Sequence, residues 1–202
     1  AALNTTQVRT LTTTQVGALS ETDVAELSAA QLAALTTAQV QALTSTNLAL
    51  LVDTQIQALT ATQVQALSVT TLSALDANQA GALTVTQIAG LTGTQLAGLQ
   101  TTDIGELADT QVAALTATQV ARLSTGALNA LDQTQVDALT LTQVRGLSTT
   151  QLAALEATNV AAFAATQLGA LSTTQIQALT STNLALLADT QVAALNTTQL
   201  QA

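Results

Sequence analysis

Leu35–Ala66 reads LTTAQVQALTSTNLALLVDTQIQALTATQVQA. It is four copies of one octapeptide, L-[T/S]-x-T-Q-[V/I/L]-x-A. The phase runs outward from this stretch without insertion or deletion, so that Leu3–Ala202 forms 25 consecutive octads. Searching first for such internal repeats decides the fold class, because a fixed short period implies a stacked array. Position 1 is Leu in 24 octads and Phe163 in the other, and position 6 is Val, Ile or Leu in 24, with Ala80 the exception. Position 4 is Thr in 21 octads, departing at Ala30, Ala38, Asn78 and Gly126, and position 5 is Gln in 18. Positions 3 and 7 vary freely, from Glu21, Asp53 and Asp189 to Arg9, Asp137 and Gln177, and are expected to face water. The same block recurs 17 octads later as Leu171–Ala202, with its LTSTNLALL core intact. Blocks have been duplicated in phase, so the eight-residue geometry is what the sequence preserves.

Three backbones compete for an eight-residue period. A continuous α-helix turns about 100° per residue, so equivalent leucines would drift by about 80° per octad and smear the apolar stripe around the rod. No neighbouring helix could bury such a spiral. In a β-solenoid, alternate residues share a face, and a strand that buries position 1 also buries position 3, which holds Glu21, Asp53, Asp109, Gln133 and Asp189. Positions 1 and 6 then have opposite parity as well. The third backbone restarts a helix in every octad. Thr or Ser at position 2 with Gln at position 5 is a capping box, and Leu at N′ with an aliphatic at N4 is the spacing of a hydrophobic staple. Position 2 is Ser, Thr, Asp or Asn in 19 octads, and Val52, Gln100, Ala108, Glu156, Ala164 and Ala188 depart from it.

The sequence therefore predicts an all-α solenoid of 25 very short helices, one per octad, over 1–202 as a single continuous array, with a β-solenoid as the alternative. Each helix begins at position 3 and ends near the next Leu. Helices this short do not persist alone, because nucleation costs more than so few hydrogen bonds return, so they must stack. Burial of positions 1 and 6 supplies roughly 1.5–3 kcal/mol per side chain. Two, three or four octads per superhelical turn all satisfy the pattern. What stops each helix is not explained by glycine, since only Gly90, Gly98 and Gly146 occupy position 8. The stop is assigned to the following N-cap, whose backbone leaves the helical region.

Composition narrows function. The chain has no His, Cys, Met, Trp, Tyr or Pro, and its net charge is −9 with Arg9, Arg122 and Arg145 as the only cations. Without imidazole or thiolate the usual acid–base, nucleophilic and soft-metal chemistries are closed, so no enzyme, no catalytic residue, no metal site and no cofactor are predicted. So few cations and no stacking aromatics argue against nucleic acid, and no apolar span argues for membrane insertion. The acidic groups Glu21, Asp23, Glu26 and Asp103, Glu106, Asp109 read as solvated faces, because neither carries the turn that converges oxygens on a hard cation. Phe163 reads as a core substitution. Asn4-Thr5-Thr6 and Asn196-Thr197-Thr198 match the N-glycosylation sequon, and exposed Thr and Ser are available for O-linked glycans.

The L-T-x-x-Q-V-x-A-L pattern resembles octapeptide repeats of very large bacterial surface or secreted proteins, adhesin-like proteins often labelled for haem utilisation or adhesion, along the entire chain. Its helix opener alone also resembles the start of TAL-effector repeats, whose units are longer and basic. The first resemblance implies an extracellular or cell-surface location and a role as spacer, stalk or filament subunit. Unlike natural solenoids with polar terminal repeats, the outermost octads keep the full apolar pattern, so a segment of a longer array, or self-association end to end or side by side, is expected. The competing expectation is an ice- or glycan-binding module that uses ranks of Thr.

Overall fold

The computed structural model describes residues 3–201. Among them are 25 α-helices of four to six residues, one per octad, from α1 (Thr5–Thr10) to α25 (Thr197–Leu200), and no strand. The all-α solenoid expectation holds and the β-solenoid alternative falls. The physical reason lies at position 2, where the hydroxyl or carboxamide oxygen accepts the N3 amide and starts a helix where a strand would need that residue in a ladder.

N-caps such as Thr60, with φ −69° and ψ 155°, are extended, and where a helix runs up to Leu two consecutive extended residues make the corner: Leu67, which ends α8 (Ala61–Ala66), has φ −64° and ψ 143°, and Ser68, the N-cap of α9 (Val69–Leu72), has φ −68° and ψ 158°. Among the described residues no φ is positive, so the helices stop without a left-handed residue. Closure comes from a short bond at the last turn: the Leu67 amide donates to the Val64 carbonyl at 3.1 Å, and Leu35 to Leu32 likewise at 3.1 Å. The six octads without a capping side chain still form helices, although Val52, Gln100, Ala108, Glu156, Ala164 and Ala188 make no side-chain cap. Their neighbours hold them in place.

The helices fall into two compact units, one running to Gln95 and the other starting at Leu96. In the first, helices stack in three columns: α1 on α4 (Ala29–Ala34) on α7 (Asp53–Ala58) on α10 (Ala77–Ala82); α2 (Thr13–Gly17) on α5 (Thr37–Gln41) on α8 on α11 (Val85–Ala89); and α3 (Glu21–Ala25) on α6 (Ser45–Ala49) on α9. In the second the same step of three links α15 (Ala117–Val120), α18 (Leu141–Gly146), α21 (Ala165–Gly169) and α24 (Asp189–Ala193), with α14 (Asp109–Ala114) on α17 (Gln133–Ala138), α20 (Ala157–Ala161) on α23 (Ser181–Ala185), and α19 (Thr149–Ala153), α22 (Thr173–Gln177) and α25 in line. Three octads, 24 residues, therefore complete one turn of each coil, which selects among the periods the sequence left open. Position 6 fills the core, with Leu32, Ile56, Ile88 and Leu152 fully buried, and position 1 packs beside it, including Phe163. Position 8 lies on position 3 of the turn before it. A Cβ on Gly146 would come within 2.9 Å of the Ala117 Cβ.

Candidate functional site

The recurrent feature of both units is the glutamine at position 5. Gln63 is 2% exposed. Its Oε1 accepts from the Thr60 amide at 2.7 Å, while its own amide donates to the Thr60 hydroxyl at 3.2 Å, completing the capping box. Its Nε2 then donates one turn back in the coil, to the carbonyls of Leu32 at 2.8 Å and Leu35 at 2.7 Å. One carboxamide thus caps the start of its own helix and the end of a helix four octads earlier. Its oxygen meets the positive end of one helix and its nitrogen the negative end of another, in keeping with the direction of the peptide dipoles.

The second unit repeats the bonds between turns. Gln143 donates to Val112 at 2.8 Å and Leu115 at 2.7 Å, and Gln167 donates to Val136 and Leu139, both at 2.8 Å. Gln135 donates to Ile104 at 3.0 Å and Leu107 at 2.6 Å. Among the described residues no buried side-chain polar atom lacks a partner, although 18 polar residues at position 5 are buried. A buried amide with all its bonds made adds to stability, whereas one left open would cost about 1–3 kcal/mol.

The exceptions show how the network adapts. Asn159 in α20 (Ala157–Ala161) is one methylene shorter, and its Nδ2 reaches down to the carbonyls of Asn129 at 3.3 Å and Leu131 at 3.2 Å. The N-cap amide of Glu156, which glutamine serves elsewhere, donates at 2.9 Å to Oδ1 of Asn129 from the turn below. Asn129 also donates to the Ala154 carbonyl at 3.0 Å. A position that the sequence marks as variable therefore replaces half of a missing capping box.

The sequence reading assigned glutamine only to its own capping box and missed its second role. A signal was present: a capping box accepts Glu or Gln at N3, yet position 5 is Gln in 18 octads and Glu in none. Glu has the oxygen that the box needs but, when ionised, no donor for the carbonyls beneath.

Elsewhere the surface is regular and mostly polar, with Leu50, Val52, Val85, Leu141 and Leu186 among its exposed aliphatic side chains. All 25 position-4 residues are exposed, as are positions 3 and 7 in most octads. Of the two acidic groups, Asp23 is tied to Ser20, whose amide donates to Oδ2 at 3.0 Å and whose hydroxyl donates to it at 2.6 Å. Those bonds, the hydroxyl first, hold the Asp23 carboxyl below its ordinary value of 3.8. Among the described residues no group of three or more acidic side chains converges as a metal site. A groove of about 480 Å³ beside exposed Leu50 and Val52 contains Asp53 and Asp76. Asp76 there serves as the N-cap of α10 (Ala77–Ala82), accepting from the Gln79 amide at 2.9 Å. No described helix is long and apolar enough to cross a membrane.

Residues 1–29 match the family model of the ALTTAQ repeat, so the opening octads are similar to a recognised repeat of this type. No curated protein matches the chain.

Proposed function

We propose that this chain is a structural element, an extracellular spacer, stalk or filament subunit at a cell surface. The observation that carries the reading is the glutamine bond between successive turns. It commits the buried position-5 glutamines, such as Gln39, Gln63, Gln143 and Gln167, to holding one turn on the next, and their carboxamides offer no proton, nucleophile or ligand to a substrate. A coil built this way gains length in equal increments. Inserting further 24-residue blocks and measuring the distance between terminal fluorophores is expected to add about 8–10 Å per block, one helix-packing distance. A distance that fails to grow with block number overturns the spacer role. Surface labelling of intact producing cells tests the location.

A second reading is supported by the position-4 threonines. Thr118, Thr142, Thr166 and Thr190 are all exposed, one per helix along the column α15 (Ala117–Val120), α18 (Leu141–Gly146), α21 (Ala165–Gly169) and α24 (Asp189–Ala193). Their hydroxyls make a rank available to ice or glycans, or to O-linked modification. Thermal hysteresis that Thr142→Val and Thr166→Val abolish together would favour this reading over the first.

A further inference from the structure

Seven octads lack glutamine at position 5, and none of the seven stands alone. Asp23, Asn47 and Thr71 follow one another at 24 residues, as do Asp103 and Ala127, and Asn159 and Asn183, so each departure has another one full turn of coil away. In the first unit the three lie in one column, α3 on α6 on α9. The side chains of Asn47 and Thr71 bond only to their own N-caps, Thr44 and Ser68. The carbonyls that a glutamine there serves, 28 residues back, are those of Leu19 and Leu43, and among the described residues no group donates to either. The neighbouring corners are tied. Leu35 receives Gln63 at 2.7 Å and Leu51 receives Gln79 at 2.6 Å, and one turn further on Leu67 receives Gln95 at 2.9 Å. Side-chain length alone does not decide this, because Asn183, in the second copy of the LTSTNLALL block, donates to Leu155 at 3.1 Å. In the second unit Ala127 has no polar side-chain atom to offer the Leu99 carbonyl, while Gln135 and Gln143 tie Leu107 and Leu115.

We propose that the edge marked by Leu19 and Leu43 is an opening line built into the first unit: the coil parts there before it parts at the glutamine-tied corners on either side, and a spacer made of it yields there first. The yielding role rests on the structural reading above; the order of opening does not. Leu35 and Leu43 are a matched pair. Each follows Ala and precedes Thr, each is almost wholly buried, at 5 and 3% exposure, and each amide donates at 3.1 Å to the carbonyl three residues back. Only the carbonyl side differs. A corner opens by breaking its own helix-closing bond, and at Leu35 Gln63 must also release two carbonyls in a buried site, whereas at Leu43 no hydrogen bond from another turn has to be released. Leu35 lies nearer the outermost turn than Leu43, so fraying inward from that turn predicts the opposite order.

The test is native-state hydrogen exchange on the 202-residue chain, read at the Leu35, Leu43 and Leu51 amides after correction for intrinsic rates, with Leu115 as the reference for any change in overall stability. Leu43 is expected to exchange at least tenfold faster than Leu35 and Leu51. Thr71→Gln, which gives this octad the residue that 18 others carry, is expected to slow Leu43 at least tenfold and to leave Leu35 unchanged. Gln63→Thr is expected to do the reverse, raising the Leu35 rate to that of Leu43 and leaving Leu43 as it was. Equal rates at Leu35 and Leu43 in the wild type, or a Leu43 amide indifferent to Thr71→Gln, overturns the inference. Where Thr71→Gln does not fold, Gln63→Thr decides alone, and a Leu35 amide that keeps its protection overturns the inference in the same way. The outcome is separate from that of the spacer test, because end-to-end distance grows with block number whichever corner opens first.

Discussion

Gln7 and Gln63 occupy the same octad position, follow equivalent N-caps and make the same capping box, with Oε1 2.8 and 2.7 Å from the N-cap amide. Only Gln63 has a turn of coil beneath it. Gln7 is an exposed side chain that caps one short helix, and Gln63 is a buried one that ties two turns together. The difference separates what an octad does locally from what it does in the array: the capping box starts the helix in both places, and only in the inner turn does the same amide become part of the core.

The sharpest way to break that comparison is to remove the donor and keep the acceptor. Gln63→Glu preserves the oxygen for Thr60 but sets a carboxylate against the carbonyls of Leu32 and Leu35, and is expected to cost about 3–5 kcal/mol in urea denaturation at neutral pH. Gln7→Glu keeps the oxygen that accepts from the Asn4 amide and should fall within about 0.5 kcal/mol of wild type. Equal losses at the two sites would show that the turn-to-turn bond contributes nothing beyond the box. The apolar half of the interface gives a parallel pair. Ile88→Ala, at a fully buried position 6, is expected to lose about 2–5 kcal/mol, and Leu200→Ala, at a 60% exposed one, under about 0.5 kcal/mol.

The unit of the fold was legible, and its stacking was not. Helix starts could be read because the residues that make them lie three apart, Thr60 and Gln63 being typical, and local chemistry is visible in a local window. The second role of Gln63 joins it to residues 31 and 28 positions earlier. Every octad offers the same carbonyls, so nothing in a sequence of near-identical units marks which one is reached, or that three octads close a turn. The helix stop was legible in part: the following N-cap is extended, as expected, but the carbonyls left at the stop are satisfied from another turn, which no local window shows. The replacement of a missing cap by Asn129 was beyond reach too, because its partner Glu156 lies 27 residues away. The core at positions 1 and 6 and the surface at positions 3 and 7 followed directly from the pattern, the burial of position 5 did not, and the scarcity of chemistry-bearing residues set the functional reading.

Close approach between turns distinguishes the glycine at position 8, Gly146, from one at position 7, Gly81. A Cβ on Gly146 would meet the Ala117 Cβ at 2.9 Å and its carbonyl oxygen at 3.0 Å, while a Cβ on Gly81 meets nothing within 4 Å. Gly146→Ala is therefore expected to destabilise the chain by about 1–3 kcal/mol through overpacking of α18 on α15. Gly81→Ala, inside α10, should stabilise it by about 0.4–1 kcal/mol by restricting the unfolded chain and favouring the helix. Thermal melts of both variants with a shared reference read the sign directly, and a stabilised Gly146→Ala would mean that neighbouring turns slide apart more easily than the buried glutamines imply.

The smallest effect is a pH dependence confined to caps that carry a carboxyl. Asp23 is held below 3.8 by the Ser20 hydroxyl and amide, and Asp132, the N-cap of α17 (Gln133–Ala138), is held below the same value by the Gln135 amide and then the Thr134 hydroxyl. A carboxyl whose folded value is lowered binds its proton less readily in the folded state. Its contribution is complete above the unfolded value and disappears as the pH falls through the folded one. Acidification from above 3.8 to below the lowered values should therefore speed amide hydrogen exchange at Ser20 and Gln135, whose amides donate to the two carboxyls, after correction for intrinsic rates, while the Gln63 amide, bonded to the Thr60 hydroxyl with no titrating partner, keeps its protection. Both carboxyls are exposed to solvent, so screening keeps the change local to the first turns of α3 and α17. If Gln63 lost protection over the same range, acid would be loosening the inner turns themselves, and the separation between a cap that serves one helix and an amide that serves two would not hold.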